Sequence, residues 1–392
     1  MSEFDLEEIT DRAGTGAPNF TYGFNINGSD SGISAFTHTE GATEPSSPSN
    51  GDTWWDTDND VYKVYIDSEW KDWLGTTAAA VWYGDRQHRT GFTNVANDIH
   101  YNAIPTLGNA ADFGDLSVTR TRTAACSNAT YSFRFGGSNS SVSTASLTLY
   151  NVADYFACAT LGNASDFGDS TASHTDGSAH SDGTTGVVWH GMNGSAGNAS
   201  SISNTIDKYT LNSASNATDF GDTTTTTNRW NINESGGGNG TRGVWMGGTA
   251  AVSPYSSTTN VIDYITVATP GNATDFGNLV TARYVGTVAG AGTDDRALYF
   301  GGYTGSAGTR QIDYITVSTT GNAADFGDLS SAIVTPYGGS AAANATRAVY
   351  LAGYTNNVME YVTMSTAGNA ADFGDQLGTT NTFSTSSSGA AS

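Results

Sequence analysis

The stretch IDYITVATPGNATDFGN (262–278) recurs almost letter for letter as IDYITVSTTGNAADFGD (312–328). Its second half, G/S-N-A-x-D-F-G-D/N, occurs six times, with phenylalanines Phe113, Phe167, Phe220, Phe276, Phe326 and Phe373 spaced 54, 53, 56, 50 and 47 residues apart. Thirteen residues before each Phe stands a usually acidic residue: His100, Asp154, Asp207, Asp263, Asp313 and Glu360. Further upstream lies a short apolar segment that usually closes on Gly-Gly: VWYGD (81–85), SFRFGG (132–137), VVWHG (187–191), VWMGG (244–248), LYFGG (298–302) and VYLAG (349–353). Three elements in one order, six times, with a period near 50, are the signature of a repeat architecture.

Each unit reads as strands. IDYITV alternates with period two and is rich in β-branched and aromatic residues. The apolar runs closed by glycine suit strands buried on both faces. Small-residue segments such as LVTARYVGTVAGAG (279–292) suit a crowded inner strand. The GNAxDFGD string, with Gly, Asn and Asp around one aromatic, reads as a tight turn whose Phe plugs into a core. Four short strands per unit predict an all-β chain with β-propeller blades.

The order of elements resembles the kelch blade, where a Gly-Gly pair precedes a Tyr-bearing strand and then a Trp. Here the Phe of DFG takes the Trp place. The resemblance covers residues 81–392 and implies a six-bladed kelch-like propeller. The first unit lacks its small-residue strand, and the chain ends on QLGTTNTFSTSSSGAAS (376–392), which supplies one. Residues 379–388 are therefore expected to pair in the blade containing Val81–Gly84 and close the ring, leaving no open sheet edge. The expected domains are an extended N-terminal arm (1–43), a small β-module (44–76) and the propeller (77–392).

Composition excludes several classes. Of 392 residues only 14% are charged, against about 25% in ordinary domains, and 48 are glycine. Aromatic residues at 11% argue for a core rather than for disorder. A net charge of −23, with only Lys63, Lys71 and Lys208 as lysines, argues against nucleic acid and anionic membranes as partners. The longest apolar run, Ala78 to Tyr83, is too short to span a bilayer, and the acidic opening MSEFDLEEIT reads as no secretory signal.

Residues 1–50 are rich in Gly, Ser, Thr and Asn and read as an extended arm. The following segment, 44–75, holds four of the eight tryptophans and reads as three short strands, TWWDT, VYKVYID and EWKDW, turning at 58–60 and 67–68. It is similar to a module of bacteriophage tail-fibre and other virion proteins, P-x-x-P-x-x-G-D-x-W followed by a Tyr-rich strand and a final Trp. The matching residues are Pro45, Pro48, Gly51, Asp52, Trp54, Tyr62, Tyr65 and Trp70. DRAGTGAPNF (11–20) and the repeats also resemble structural proteins of marine, cyanophage-like phages. This resemblance implies a non-enzymatic virion protein, a fibre or tail appendage. Residues 1–80 would bind other virion proteins, with Trp54, Trp55, Tyr62, Tyr65, Trp70 and Trp73 as the docking module. Alternatives are a capsid-decorating protein of the same build and an extracellular glycan-active enzyme; a homo-oligomer is compatible with each.

Chemical motifs are sparse. Six DFG copies without a Gly-rich loop or H-R-D loop are no kinase signature. Asn109, Asp112 and Asp115 and their repeats lack the density of a calcium loop. His174, His180 and His190 match no zinc spacing and read as solvated loop residues. Cys126 and Cys158 are placed on non-adjacent strands of one blade. Thirty-eight carboxylates make chance pairs easy, and none stands out as catalytic. No metal, cofactor or catalytic residue is expected. Arg242, Arg296 and Arg347 each precede an apolar strand; they read either as a basic rim for an anionic glycan or as donors to a neighbouring blade, the latter being adopted here. Host contact is expected on the variable loops between the Gly-Gly and I-D-Y strands, through Tyr150, Tyr255, Tyr303 and Tyr354, with a surface glycan as ligand.

Overall fold

A computed structural model describes residues 38–57, 61–66, 68–72, 83–91, 97–139, 148–193, 202–224, 237–249, 258–291, 295–333, 338–353, 356–378 and 384–389. The described chain is all-β and divides into two units, 1–79 and 80–392.

Among its described residues the first unit forms a four-stranded sheet of β1 (His38–Gly41), β2 (Thr53–Asp56), β3 (Val61–Ile66) and β4 (Glu69–Asp72). Strand β1 corrects two expectations: it lies within the segment read as an extended arm, and it makes the module four-stranded. It pairs in parallel with β2, and the Trp54 indole donates to the Gly41 carbonyl at 2.8 Å. Trp54 is buried, with the Trp70 ring edge-on at 5.8 Å and Lys63 above it.

Among its described residues the second unit carries six antiparallel sheets, numbered I to VI in chain order. Sheet I holds β5 (Arg86–Thr90), β6 (Asp98–Ala103) and β7 (Ala111–Asp115). Sheet II holds β8 (Ala124–Ser127), β9 (Tyr131–Phe135), β10 (Tyr150–Ala157) and β11 (Ser165–Thr175). Sheet III holds β12 (Ser178–Ser181), β13 (Thr185–Trp189), β15 (Thr205–Thr210) and β16 (Thr218–Asp222), while β14 (Met192–Asn193) pairs back onto β11 as a fifth strand of sheet II. Sheet IV holds β17 (Gly237–Gly238), β18 (Arg242–Met246), β19 (Val261–Thr266) and β20 (Thr274–Asn278). Sheet V holds β21 (Thr287–Ala291), β22 (Arg296–Phe300), β23 (Gln311–Thr316) and β24 (Ala324–Asp328). Sheet VI holds β25 (Ser340–Ala343), β26 (Arg347–Leu351), β27 (Val358–Thr363) and β28 (Ala371–Asp375). The chain's last strand, β29 (Thr385–Gly389), pairs with β5 as the first strand of sheet I.

That pairing places the C-terminal strand in the first sheet of the unit, as expected, and corrects the strand it meets; residues 379–383 of the expected range lie outside the described residues. The second strand of sheet I is RQHRT (86–90), not VWYGD (81–85): Tyr83 and Gly84 are outside any strand, and Val81 and Trp82 lie outside the described residues. The shift follows from the repeat itself. Arg86 aligns with Arg242, Arg296 and Arg347, each the first residue of its strand.

The GNAxDFGD string is likewise corrected: it is not a turn. Its second half forms the fourth strand of every sheet, with a register shift opposite the glycine.

Sheets are covered on both faces, so their strands show no simple inside-outside alternation. The apolar clusters are shared between consecutive sheets. Ile99 and Phe113 of sheet I pack with Phe156 of sheet II, and Phe133 and Phe167 of II with Tyr209 and Leu211 of III. Phe220 joins Trp245 of IV, Phe276 joins Ile315 of V, and Phe326 joins Val362 of VI. Phe373 of sheet VI packs against Ile104 of sheet I.

Antiparallel order also sorts the connections. First-to-second turns and third-to-fourth loops lie at one end of each sheet; second-to-third connections and inter-sheet linkers lie at the other. Arg86 pairs with both Gly389 and Ala103, so the chain enters and leaves sheet I at the first end.

Candidate functional site

The repeated string forms a fastener between sheets, built from two halves. The GNA half of one repeat lies along the outer edge of the preceding repeat's DFGD strand. The Gly162 amide donates to the Phe113 carbonyl at 3.0 Å, and Ala164 to Asp115 at 2.7 Å. The Asn163 amide oxygen accepts from the Asp115 N–H at 3.1 Å. The same bond is made by Asn216 to Asp169, Asn272 to Asp222, Asn322 to Asn278 and Asn369 to Asp328. The sixth runs from Asn109 of sheet I to Asp375 of sheet VI at 3.0 Å. These bonds cover the fourth strands, which would otherwise present bare edges.

Glycine is required in DFG for two reasons. Gly114, Gly168, Gly221, Gly277, Gly327 and Gly374 have φ of +143° to +152°, and a Cβ there would sit 2.3–2.6 Å from a carbonyl oxygen of the next loop. The adjacent Phe is 2–3% exposed in all six copies. The second half of the string thus presents a backbone edge outward and an aromatic ring inward.

The five acidic residues thirteen positions before a Phe are buried inter-sheet acceptors. Asp154 accepts from the backbone and hydroxyl of Ser117 at 3.1 and 2.6 Å, and Asp207 from those of Thr171 at 2.8 and 2.6 Å. Asp263 accepts from the Thr224 hydroxyl, Asp313 from the Val280 amide and Glu360 from the backbone and hydroxyl of Ser330. In every case the donor stands four residues after the preceding repeat's Phe. Each carboxylate therefore ties down the linker that enters its own sheet.

Two arginines add charge. Arg120 meets Asp154 at 3.0 Å and Arg283 meets Asp313 at 3.2 Å, all four side chains being fully buried. Burial raises the Asp313 carboxyl above its ordinary pKa, against the pull of Arg283. Sequence reasoning passed over Arg120 and Arg283, although both stand seven residues after a DFG Phe. Between linkers, Arg122 and Asp176 form a further buried bidentate pair.

A second set of arginines fastens the opposite end. Arg242 donates to the carbonyls of Val317 and Ser318, and Arg347 to those of Ile104 and Pro105, at 2.9–3.0 Å. Arg296 donates to Met364, and Arg86 to Cys158 and Ala159. Each guanidinium also lies 4.4–4.9 Å above a tyrosine ring of its own sheet: Tyr264, Tyr361, Tyr314 and Tyr101. Arg242, Arg296 and Arg347 are thus inter-sheet donors.

The histidines require a correction. His174, His180 and His190 are 0%, 3% and 0% exposed, not solvated. His174 stands seven residues after Phe167, in the place of Arg120 and Arg283. His190 stands where other sheets carry the first glycine of the pair. The two rings stack at 4.3 Å, His190 Nε2 lies 2.7 Å from Asp207, and His174 Nε2 lies 3.0 Å from the Ser170 hydroxyl. Burial drives the pKa of His174 well below the usual value and those of His88 and His180 to about 3. Burial, helped by nearby Arg89, lowers His100 to about 4.

The first strands of all six sheets line one narrow cavity, with Ala125, Ala179, Gly237, Gly290, Ala342 and Ser387 on its wall. Side chains this small let six strands approach one another.

Of the expected contact tyrosines, Tyr150 begins β10 and is half-buried opposite His174, and half-buried Tyr303 packs edge-on against Tyr284 at 5.8 Å. Tyr255 and Tyr354 lie outside the described residues, as does Trp73. In the module, Trp55 packs on Tyr62 and Tyr65 on Trp70. Cys126 and Cys158 are buried free thiols. Among the described residues no three His, Cys, Asp or Glu side chains converge as metal ligands. No family model matches the sequence, and no curated protein does.

Proposed function

We propose that the second unit is a six-bladed, kelch-like β-propeller closed by β29, and that the chain is a non-enzymatic bacteriophage virion protein. In this reading it is a fibre or tail appendage. Residues 1–80 hold it to other virion proteins, and the propeller faces outward to a host-surface glycan. The observation that carries the reading is the fastener, which recurs at every junction including Asn109 to Asp375. A ring laced at its outer edge and packed around an aromatic at each junction is a scaffold for mechanical persistence. The acids of the repeat support a structural role, since they are buried caps on linkers rather than groups facing a cleft. The sorting of connections supports the polarity. The chain enters at one end of sheet I, whereas the connections of variable length lie at the other.

A chimera with foreign second-to-third connections and native residues 1–80 tests this. It is expected to assemble onto particles and lose adsorption to the host. Unchanged adsorption removes the receptor-binding role, and failed assembly places the anchor elsewhere.

A further inference from the structure

Sheet I differs from the other five in how its first strand is held. In sheets II, III, IV and VI the first strand runs directly through a tight turn into the second. Strand β29 instead meets a second strand, β5, that lies far from it in sequence, and it is joined to sheet VI through residues 376–384. Its composition differs too. The corresponding strands of sheets II and VI, AACS and SAAA, are rich in alanine, whereas β29 is TSSSG.

Every side chain from Ser384 to Ser388 is buried, and every one is held by a hydroxyl hydrogen bond to a neighbouring sheet. Ser384 and Ser386 donate to the Ser340 hydroxyl at 3.2 and 2.7 Å, and Ser388 donates to the Ala343 carbonyl at 2.6 Å. On the other side Thr385 donates to the Thr123 carbonyl, and Arg134 donates to the Ser387 hydroxyl at 3.0 Å. Arg134 is itself fully buried and also donates to Thr90 and to the His88 carbonyl, both on β5. The strand therefore lies in a slot between β5, β8 and β25 whose hydroxyls, carbonyls and guanidinium match its side chains.

Two consequences follow. Departure of β29 takes no large apolar side chain out of the core, so the hydrophobic term contributed by the strand itself is small. Departure also leaves the β5 edge with unpaired backbone groups and Arg134 without Ser387, so an empty slot favours refilling by a strand of the same kind. An extended tether over residues 376–384 reaches up to about 30 Å. Exchange between copies replaces each contact by its equal, which is why swapping an identical element is a low-cost route to association.

We propose that this slot is a strand-acceptor site and that its second occupant is residues 384–389 of another copy of the chain, so that copies link by exchanging C-terminal strands. The inference rests on the pairing of β29 and stands independently of the virion reading. Thr90 and Thr385 are cross-strand partners, and both tolerate cysteine in size. Full-length Thr90→Cys chains are mixed with full-length Thr385→Cys chains, warmed to the onset of melting, cooled and oxidised. A disulfide-linked heterodimer is expected, while the doubly substituted chain closes on itself. If the double variant closes but the mixed single variants never cross-link, the proposal is overturned. Native mass spectrometry of the unsubstituted chain, warmed and cooled in the same way at high concentration, gives a cysteine-free reading. Dimers that persist on dilution support exchange, and a purely monomeric spectrum overturns it.

Discussion

Junctions II–III and IV–V occupy equivalent places in the repeat but are built from different chemistry. At IV–V, Arg283 reaches Asp313 at 3.2 Å beside a turn that carries the glycines Gly301 and Gly302. At II–III, His174 stands in the arginine's place and His190 in that of the first glycine, stacked together with His190 on Asp207 at 2.7 Å. The missing guanidinium is thus made good by a ring added where glycine had left room. The carboxylate is the fixed element and its donor is exchangeable. An arginine keeps its charge at any working pH, whereas burial keeps the His174 imidazole from taking up a proton until well below its ordinary pKa. Two junctions of one shape should therefore answer differently to mutation and to acid.

The largest effect should be the one they share. Phe276→Ala and Phe167→Ala each remove a buried ring from a junction and should each cost about 3–5 kcal/mol in denaturant unfolding. A near-neutral result at either site would show that the aromatic does not hold that junction. Exchange of the acid should separate them. Asp313→Asn strands a buried guanidinium and should cost about 3–5 kcal/mol. Asp207→Asn replaces one hydrogen-bonding group by another opposite Thr171 and His190 and should cost about 1–3 kcal/mol. The reverse order would mean that the histidine pair depends on charge more than the arginine does.

Acid sharpens the contrast. A histidine whose folded pKa is depressed contributes no penalty above the unfolded value near 6.5, and stability falls as pH drops below it. With folded values of about 3, His88 and His180 should each cost about 2–3 kcal/mol at pH 4.5. His174, also pushed well below its usual value, places part of this loss at II–III. Hydrogen exchange at pH 4.5 should open β11 and β13 before β20 and β22; simultaneous opening would contradict the local assignment. The smallest effect belongs to the fastener's side chain. Asn322→Ala and Asn216→Ala should each cost about 1 kcal/mol, equally at both junctions.

Much of this was legible in the sequence. The six-fold string, the acid thirteen residues before each Phe and the β-rich character all come from periodicity. The strand nature of DFGD was not, because Asp and Gly are poor strand formers and the partner that stabilises them is the GNA of the next repeat. RQHRT was passed over as a strand because it is polar, yet its side chains are buried between sheets with donors and acceptors on both sides. Polar burial of this kind leaves no hydrophobic pattern to read. The histidines were misplaced for the same reason: their meaning comes from alignment with Arg120 and Gly136, not from their own spacing. Arg120 and Arg283 do carry a sequence signal, since each stands seven residues after a DFG Phe.

One string fastens every junction, including VI–I, and the fastening can be read at the amide protons of Asp115, Asp169, Asp222, Asn278, Asp328 and Asp375. Each is bonded to an asparagine side chain of the following repeat. Residue-resolved hydrogen exchange should find all six protected to a similar degree, and Asn109→Ala should deprotect Asp375 alone. An Asp375 amide that exchanges freely in the unsubstituted chain, while the other five are protected, would contradict the account.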